Sequence, residues 1–380
     1  MTLTLPAVAS APAEWSEDVI RRALIWGACI CALCSMVEGR ILCDPDSLLY
    51  ASISRSLESR PLSQWIAPAW PEQWPSGRGL FVDHLACFFW PAALLGKLGL
   101  PGGMAANFLW VLLSYLLVFR FARALIGEEA AWLAVLLYAV SPAGLEYLVR
   151  ANHEPALACA YLGALWCLVD RPARPAALAG FLLLAVAIKG ALGLLAVPVA
   201  LASWWAAGRR KADVRGFLLG AVLLAAFCAA YELAFERAAG ASFFDAYFAR
   251  QISGVVEGER RGFLHKLATP AYHAGSVAWF GFPGTGLALA DAARPSCASR
   301  CARRAWLVPA AALVVLLSLM ARRAVRYAFP AFALCNVAGA QALIRRAPGV
   351  QQWIAARRSW LEPALASWLL VATALRVTFW

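Results

Sequence analysis

The stretch that decides the fold is PAALAGFLLLAVAIKGALGLLAVPVALASWWAA, residues 175–207, in which Lys189 is the sole charged residue. A helix that crosses a bilayer needs about 20 mostly apolar residues. The stretch supplies two short runs of this kind, 175–189 and 190–207, which meet at Lys189 and Gly190. The pattern therefore predicts two membrane spans joined by a tight hairpin turn.

The composition of the whole chain agrees with this prediction. Hydrophobic residues make up 62% of the 380 residues and charged residues 15%. A soluble domain of this size cannot cover its surface with so few charges. The 17 Trp residues suit the headgroup layer of a membrane, where an amphipathic ring is stable. We expect an all-α polytopic membrane protein.

Further apolar runs extend the count to about eleven spans. A short tail, 1–19, precedes a single transmembrane domain, 20–380, and no soluble C-terminal domain is expected. The segment 84–100 is apolar but is interrupted by Pro91, and we predict an interfacial helix there. The eleven predicted spans are 20–37, 104–124, 130–148, 153–169, 175–189, 190–207, 216–234, 273–291, 305–321, 327–344 and 361–378.

The orientation follows from the Lys and Arg residues, which cluster in short segments between alternate spans. Cytoplasmic loops are rich in these residues, so the N-terminus is expected on the cytoplasmic side. The membrane is expected to be the plasma (inner) membrane. The net charge of +12 is explained by these clusters and does not indicate nucleic-acid binding. Two long loops, about 38–103 and 235–272, then lie on the outer face. The one short outer loop that breaks the rule carries Arg322, Arg323 and Arg326.

Asp46 is the first candidate for chemistry, because it stands just after the first span and begins a helical pattern. The apolar face of that helix is predicted to be Leu49, Tyr50, Ile53 and Leu57. Asp46 can be a helix N-cap or a general base at the membrane surface. The residues alone leave both interpretations open.

Glu154 and Lys189 are the next candidates, both at the outer ends of spans. Glu154 precedes Pro155 and can be a helix-start acid that favours the helix dipole. His153 beside it is expected to be a capping or interfacial residue. Lys189 is predicted to be functional, since ionisable groups within a membrane are costly. The alternative is that its ammonium extends to the outer headgroups.

The second outer loop mixes aromatic residues with cations, among them Arg261 and His265. Such a mixture suits a lipid phosphate, and it also suits plain membrane anchoring. The outer cluster with Arg323 can clamp phosphate through guanidinium forks. Cys297 and Cys301 are four residues apart but lack partner ligands, so no metal site is predicted.

In this order the motifs resemble those of the GT-C superfamily of polyprenyl-phosphate-sugar glycosyltransferases. The likeness is greatest to the 4-amino-4-deoxy-L-arabinose lipid A transferase and protein O-mannosyltransferase group. The matching elements run from residue 38 to about 335, and they are PDSLLYASIS at 45–54, WIAP at 65–68, Glu154-Pro155, Lys189-Gly190, and the set Arg323, Tyr327 and Pro330.

The resemblance implies an inverting transfer at the outer face, from a polyprenyl-phosphate-linked sugar to a lipid, glycan or protein acceptor. Asp46 and Glu154 would be the catalytic carboxylates. No cofactor is implied beyond the lipid-linked donor, and a need for a divalent metal is left open. Membrane lipids are expected partners and nucleic acid is not. The substrate-binding residues would be Tyr50, Lys189, Arg261, His265, Arg323 and Tyr327.

The chain departs from the family pattern at FVDHL, residues 81–85, which stands where a Lys-Pro-Pro-like stretch is expected. Its second acid is also Glu rather than Asp. Two alternatives therefore stay open. One is a secondary transporter or flippase of lipid-linked or anionic substrates, and the other is a non-catalytic membrane subunit with a GT-C-like fold.

Overall fold

The computed structural model describes residues 45–72, 79–170, 173–208, 210–253, 263–292, 300–319 and 324–379, together with several positions between 25 and 36. In these segments the chain is helical apart from turns and one isolated β-bridge between Ala69 and Leu80. The predicted all-α class is confirmed. The helices are α1 (Pro45–Glu58), α2 (Trp90–Lys97), α3 (Gly102–Ile126), α4 (Glu128–Val140), α5 (Pro142–Leu148), α6 (His153–Val169), α7 (Pro175–Lys189), α8 (Ala196–Ala206), α9 (Lys211–Ala239), α10 (Phe243–Tyr247), α11 (Phe263–Phe280), α12 (Gly284–Ala292), α13 (Arg300–Ser318), α14 (Phe329–Arg346), α15 (Pro348–Ala356) and α16 (Arg358–Phe379).

Several of these helices are long and apolar enough to cross a membrane. Among the described residues, five continuous helical segments meet that description, or six if the bent pair α4 and α5 is one span. Two shorter apolar helices, His153–Val169 and Arg304–Ser318, accompany them. The membrane-protein character is therefore confirmed. Helix α6 has the predicted bounds, whereas the first predicted span, 20–37, lies largely outside the described residues.

The helical segment Pro175–Ala206 reverses its direction at Gly190. Lys189, at one end of α7, lies beside Glu154 at the start of α6. The indole of Trp204 donates to the Arg210 carbonyl, and Arg210 donates to the carbonyls of Cys167 and Asp170 at the other end of α6. Positions 189 and 204 thus lie at opposite ends of one helix, so α7 and α8 form the hairpin that the sequence predicts.

Two predicted spans are broken. The run 130–148 becomes α4 and α5, which meet at an angle of 63°. Pro142 cannot donate a backbone hydrogen bond, and the Ser141 hydroxyl instead accepts one from the Gly144 amide at 3.1 Å, which starts a new helix. The run 273–291 is divided between α11 and α12, with Pro283 at the break.

The first outer loop packs on its own aromatic core. The predicted face of α1 is confirmed, because Leu49, Tyr50, Ile53 and Leu57 are all buried. They contact Trp65, Trp70, Phe81 and Phe89 in one cluster. Helix α2 lies in the segment predicted to be interfacial, and its 8 residues extend about 12 Å at 1.5 Å per residue. It is too short to cross a bilayer of about 30 Å.

The two long loops contact each other through Tyr231, which lies in the second half of α9. Its hydroxyl accepts from the Ala86 amide at 2.9 Å and donates to the Ile66 carbonyl at 3.3 Å. Around it, the aromatic side chains of α9 and α10 pack against the apolar residues of the first loop. This contact fixes the second loop against residues 66–90 of the first loop and beside Val186 of α7.

Candidate functional site

Four charged side chains from four separate elements form one chain of alternating sign. Asp46 of α1 pairs with Arg326, which lies in the short 3-10 helix Val325–Ala328. The Nε atom of Arg326 is 3.9 Å from Oε1 of Glu154. The same oxygen is 4.0 Å from Nζ of Lys189. Asp46, Glu154 and Lys189, three of the residues predicted from the sequence, are therefore brought together.

Glu154 is held in the first turn of α6. The helix begins at His153, and the Asn152 side chain caps it by accepting from the His153 amide at 2.8 Å. The positive end of the helix dipole favours a carboxylate at this place, as the sequence predicts. The side chain of Glu154 is 2% exposed and that of Lys189 is 5% exposed. A buried carboxylate needs cations close by, and Lys189 and Arg326 supply them.

Lys189 occupies the last turn of α7, where the negative end of the dipole favours a cation. The alternative that it extends to the outer headgroups is wrong, because its side chain is buried against Glu154. The turn that follows depends on Gly190, whose φ is +54° and ψ is −126°, a conformation that suits glycine. The Tyr247 hydroxyl accepts from the Ala191 amide at 2.9 Å, so the second outer loop anchors this turn.

Arg326, three residues after the predicted Arg323, is the described cation of this loop that pairs with Asp46. The prediction for Arg323 lies outside the described residues, as does that for Arg261; His265 lies in α11, and its side chain is not among those described. Arg326 belongs to the basic outer loop that broke the positive-inside pattern, and that was the signal for it. Tyr327 follows it in the same short helix and is half-buried.

Tyr50 lies among aromatic rings beside the charged chain. Its hydroxyl is hydrogen-bonded with Nε2 of His84 at 3.2 Å. Its ring contacts the ring of His153 edge-on at 4.4 Å between centroids, and Phe88 stacks on His153 at 3.8 Å. His153 is fully buried, so it is a packed N-terminal residue of α6 rather than the cap, which is Asn152. His84 was not predicted from the sequence.

The divergent stretch 81–85 contacts the second outer loop. Asp83 forms an ion pair with Arg250, whose guanidinium lies over the Trp70 ring at 4.8 Å. Burial raises the pKa of Tyr247, and the nearby Tyr327 and Asp83 raise it further. Tyr247 therefore keeps its proton at neutral pH. Asp83 is paired with Arg250 and lies near Tyr247, whose hydroxyl contacts the turn that follows Lys189.

Metal binding was left open by the sequence. Within the part of the chain that the structure describes, no three His, Cys, Asp or Glu side chains are grouped so that they could hold a metal ion. Cys297 lies outside the described residues, and the side chain of Cys301 is not described.

The fold and the family model identify the architecture. The model of the family "dolichyl-phosphate-mannose-protein mannosyltransferase" matches residues 86–234, which include Glu154 and Lys189 but neither Asp46 nor Arg326. The structure of ArnT from Cupriavidus metallidurans bound to undecaprenyl phosphate is similar over 97% of this chain and 76% of that one, with 18% identity and a TM-score of 0.63. The protein has the GT-C fold.

Two further GT-C structures agree. The apo state of the same ArnT matches over 96% of this chain and 76% of that one, at 18% identity and a TM-score of 0.58. The archaeal oligosaccharyltransferase AglB from Archaeoglobus fulgidus, in complex with an inhibitory peptide and a dolichol-phosphate, matches over 94% of this chain at 14% identity and a TM-score of 0.55. This chain spans 56% of that enzyme. No curated protein matches the sequence. The predicted GT-C fold is confirmed.

Proposed function

We propose that the protein is an inverting glycosyltransferase that moves a sugar from a polyprenyl-phosphate donor to a lipid, glycan or protein acceptor. The reaction would take place at the outer, periplasmic face of the plasma membrane. The observation that carries the proposal is the chain Asp46–Arg326–Glu154–Lys189, in which the partly exposed carboxylate of Asp46 pairs with Arg326 and the buried carboxylate of Glu154 lies between Arg326 and Lys189.

The transfer needs a base and a site for the leaving phosphate. In the proposed step, an acceptor oxygen attacks the anomeric carbon, and its proton passes to the Asp46 carboxylate. The bond between the anomeric carbon and the phosphate oxygen breaks, and the electron pair stays on the phosphate, which remains attached to its polyprenyl chain. Attack opposite the leaving phosphate inverts the anomeric centre.

Arg326 and Lys189 are proposed to meet the charge that develops on the phosphate. A guanidinium can contact two phosphate oxygens at once, and the ammonium of Lys189 lies on the other side of Glu154. We assign Glu154 the task of holding both cations in place, so it acts as a positioning residue within this cluster. Tyr50, beside Asp46 on the same helix, would orient the sugar or the acceptor.

The comparisons support a lipid-linked donor of this class. One GT-C neighbour binds undecaprenyl phosphate, and another binds a dolichol-phosphate. The complete charged cluster argues for catalysis rather than for a non-catalytic subunit. It also argues against transport, since a carboxylate paired with a cation that can meet the leaving phosphate is what a transfer reaction needs.

The test is turnover by purified protein in detergent with a panel of polyprenyl-phosphate sugars. Asp46→Asn should abolish transfer, leave the elution profile unchanged and bind donor at least as tightly as the wild-type protein. Asp170→Asn, at the opposite end of α6, is the matched control and should keep full activity. A fully active Asp46→Asn variant would remove Asp46 as the base. Retention of the anomeric configuration in the product, read by NMR, would contradict the direct displacement.

The sugar and the acceptor are identified by mass spectrometry of envelope lipids and glycans from a deletion strain. The proposal expects one glycan or lipid to lose a single sugar, and complementation with the wild-type gene to restore it. An envelope that lacks no sugar, together with an active purified enzyme, would mean that the physiological acceptor lies elsewhere.

A further inference from the structure

A cavity of about 550 Å³ lies between α3, α4 and the start of α16. It is remote from the charged site. Gly103, at one end of α3, faces Ala51 and Ala151 beside that site, whereas Arg123, near the other end of α3, lines the cavity. The 20 residues between them correspond to about 30 Å at 1.5 Å per residue, which is the thickness of a bilayer core.

The wall along α3 is apolar and has the length of one lipid leaflet. Leu112, Leu113, Leu116 and Phe119 line it, and Trp132 of α4 faces them. From Leu112 to Arg123 the helix rises by about 16 Å at 1.5 Å per residue. Half of a bilayer core is about 15 Å, so a chain that follows this wall reaches the bilayer midplane.

The charged residues that line the cavity are three cations, Arg120, Arg123 and Arg358, and two carboxylates, Glu128 and Glu362. Arg358 is paired with Glu128, but Arg120 and Arg123 form no ion pair with any of the described residues. Guanidinium groups bind phosphate oxygens in pairs.

We propose that this cavity is a binding site for an anionic glycerophospholipid of the leaflet opposite the charged site. The phosphate lies at Arg120 and Arg123, and one acyl chain follows Leu116 and Leu112. A free phosphate would leave the apolar wall bare, and an apolar helix would leave the two guanidinium groups unpaired. Phospholipid supplies both parts. Basic pockets between membrane helices bind anionic headgroups in this way.

The occupant is captured by a photo-reactive phenylalanine derivative placed at position 116 in the full-length chain. In nanodiscs that contain phosphatidylglycerol and phosphatidylethanolamine in equal amounts, mass spectrometry of the adduct should show mainly phosphatidylglycerol. An adduct with residues 1–24 of the same chain, with a second copy, or with polyprenyl phosphate would overturn the proposal. So would equal labelling by the two phospholipids.

Variants separate the cavity from general surface charge. In native mass spectrometry, the pair Arg120→Gln and Arg123→Gln should reduce retained phosphatidylglycerol about tenfold, and Leu116→Trp should reduce it without any change of charge. Arg215→Gln, an exposed cation of α9 outside the cavity lining, is the matched control and should retain the lipid. If all three variants lose lipid equally, the cavity has no specific role. If none does, the proposal is wrong.

Discussion

Replacement of Gly190 by alanine tests whether the hairpin turn places Lys189 in the site. Gly190 has a φ of +54° and a ψ of −126°, which is the first central position of a type II′ turn. A non-glycine residue held in a sparsely populated region of this kind costs about 1–3 kcal/mol. The added Cβ would also lie 2.5 Å from the Tyr247 hydroxyl oxygen, so Tyr247 must move.

Movement of Tyr247 breaks its hydrogen bond with the Ala191 amide, whose net contribution is about 0.5–1.5 kcal/mol. Together the two effects destabilise the turn by about 2–4 kcal/mol. Because Lys189 immediately precedes the turn, we expect its ammonium to shift from Glu154 and donor affinity to fall. A loss of about 1.4 kcal/mol in binding corresponds to a tenfold weaker affinity.

The assay is thermal unfolding in detergent, combined with the dissociation constant of a polyprenyl-phosphate donor. Gly180→Ala is the matched control, since Gly180 lies in the same helix and nothing lies within 4 Å of its added Cβ. That change should be neutral or stabilising by about 0.5–1 kcal/mol. If Gly190→Ala and Gly180→Ala unfold at the same temperature and bind donor equally, the turn does not position Lys189.

The double variant Gly190→Ala/Tyr247→Phe separates the two costs. Removal of the hydroxyl relieves the 2.5 Å contact and leaves the ring carbon at 3.0 Å. Stability should recover in part relative to Gly190→Ala, because the cost of the positive φ remains. Complete recovery would refute the backbone strain, and no recovery would refute the steric contact.

Three further predictions follow from the site and its supports. Lys189→Met should lower the free energy of unfolding by about 3 kcal/mol, because it removes one partner of a buried carboxylate. Adding Glu154→Gln to that variant should restore most of the loss in thermal unfolding, and failure to restore it would show that the two side chains are not coupled. Asp83→Asn should cost at most about 1 kcal/mol of stability, because Arg250 and Asp83 are partly exposed (38% and 20%), yet it should raise the donor KM. Asp170→Asn is the control, since Arg174 and Asp170 form a pair of similar exposure (42% and 22%); equal donor KM values for the two variants would refute the loop contact. Tyr231→Phe leaves the Ala86 amide and the Ile66 carbonyl without their partner and should cost about 2 kcal/mol of stability. Tyr161→Phe should cost less, because the Tyr161 hydroxyl makes one long hydrogen bond at 3.4 Å; the midpoints of thermal unfolding of the two variants test this.

The sequence predicted elements well where a single local pattern determines the structure. Helix α6 has the predicted bounds of 153–169, because its apolar run is uninterrupted and Asn152 caps it. The hairpin was predictable because Lys189 is the sole charged residue of a 33-residue apolar stretch and is followed by Gly190. The buried face of α1 followed from helical spacing alone.

Contacts between distant segments were not predictable in the same way. Arg323 matches the family motif, but Arg326 is the side chain that pairs with Asp46. The intervening backbone changes from the extended Ala324 to a 3-10 helix, and a motif contains no information about that geometry. His84 was missed because it lies in the stretch that departs from the family pattern. Its role beside Tyr50 depends on how that loop folds back.

The order of charges gives the proposed reaction a sequence of events. Without donor, the two carboxylates and two cations neutralise one another, and Asp46 is held by Arg326. A donor phosphate would add negative charge and compete with a carboxylate for Arg326. Asp46 is the carboxylate at the exposed end of the charged cluster, because Glu154 is buried at the other end with Lys189. The carboxylate that loses its cation is therefore Asp46, and loss of a cation makes a carboxylate a stronger base. Donor binding would then activate the base, so an acceptor hydroxyl is deprotonated when a lipid-linked sugar is present to receive it.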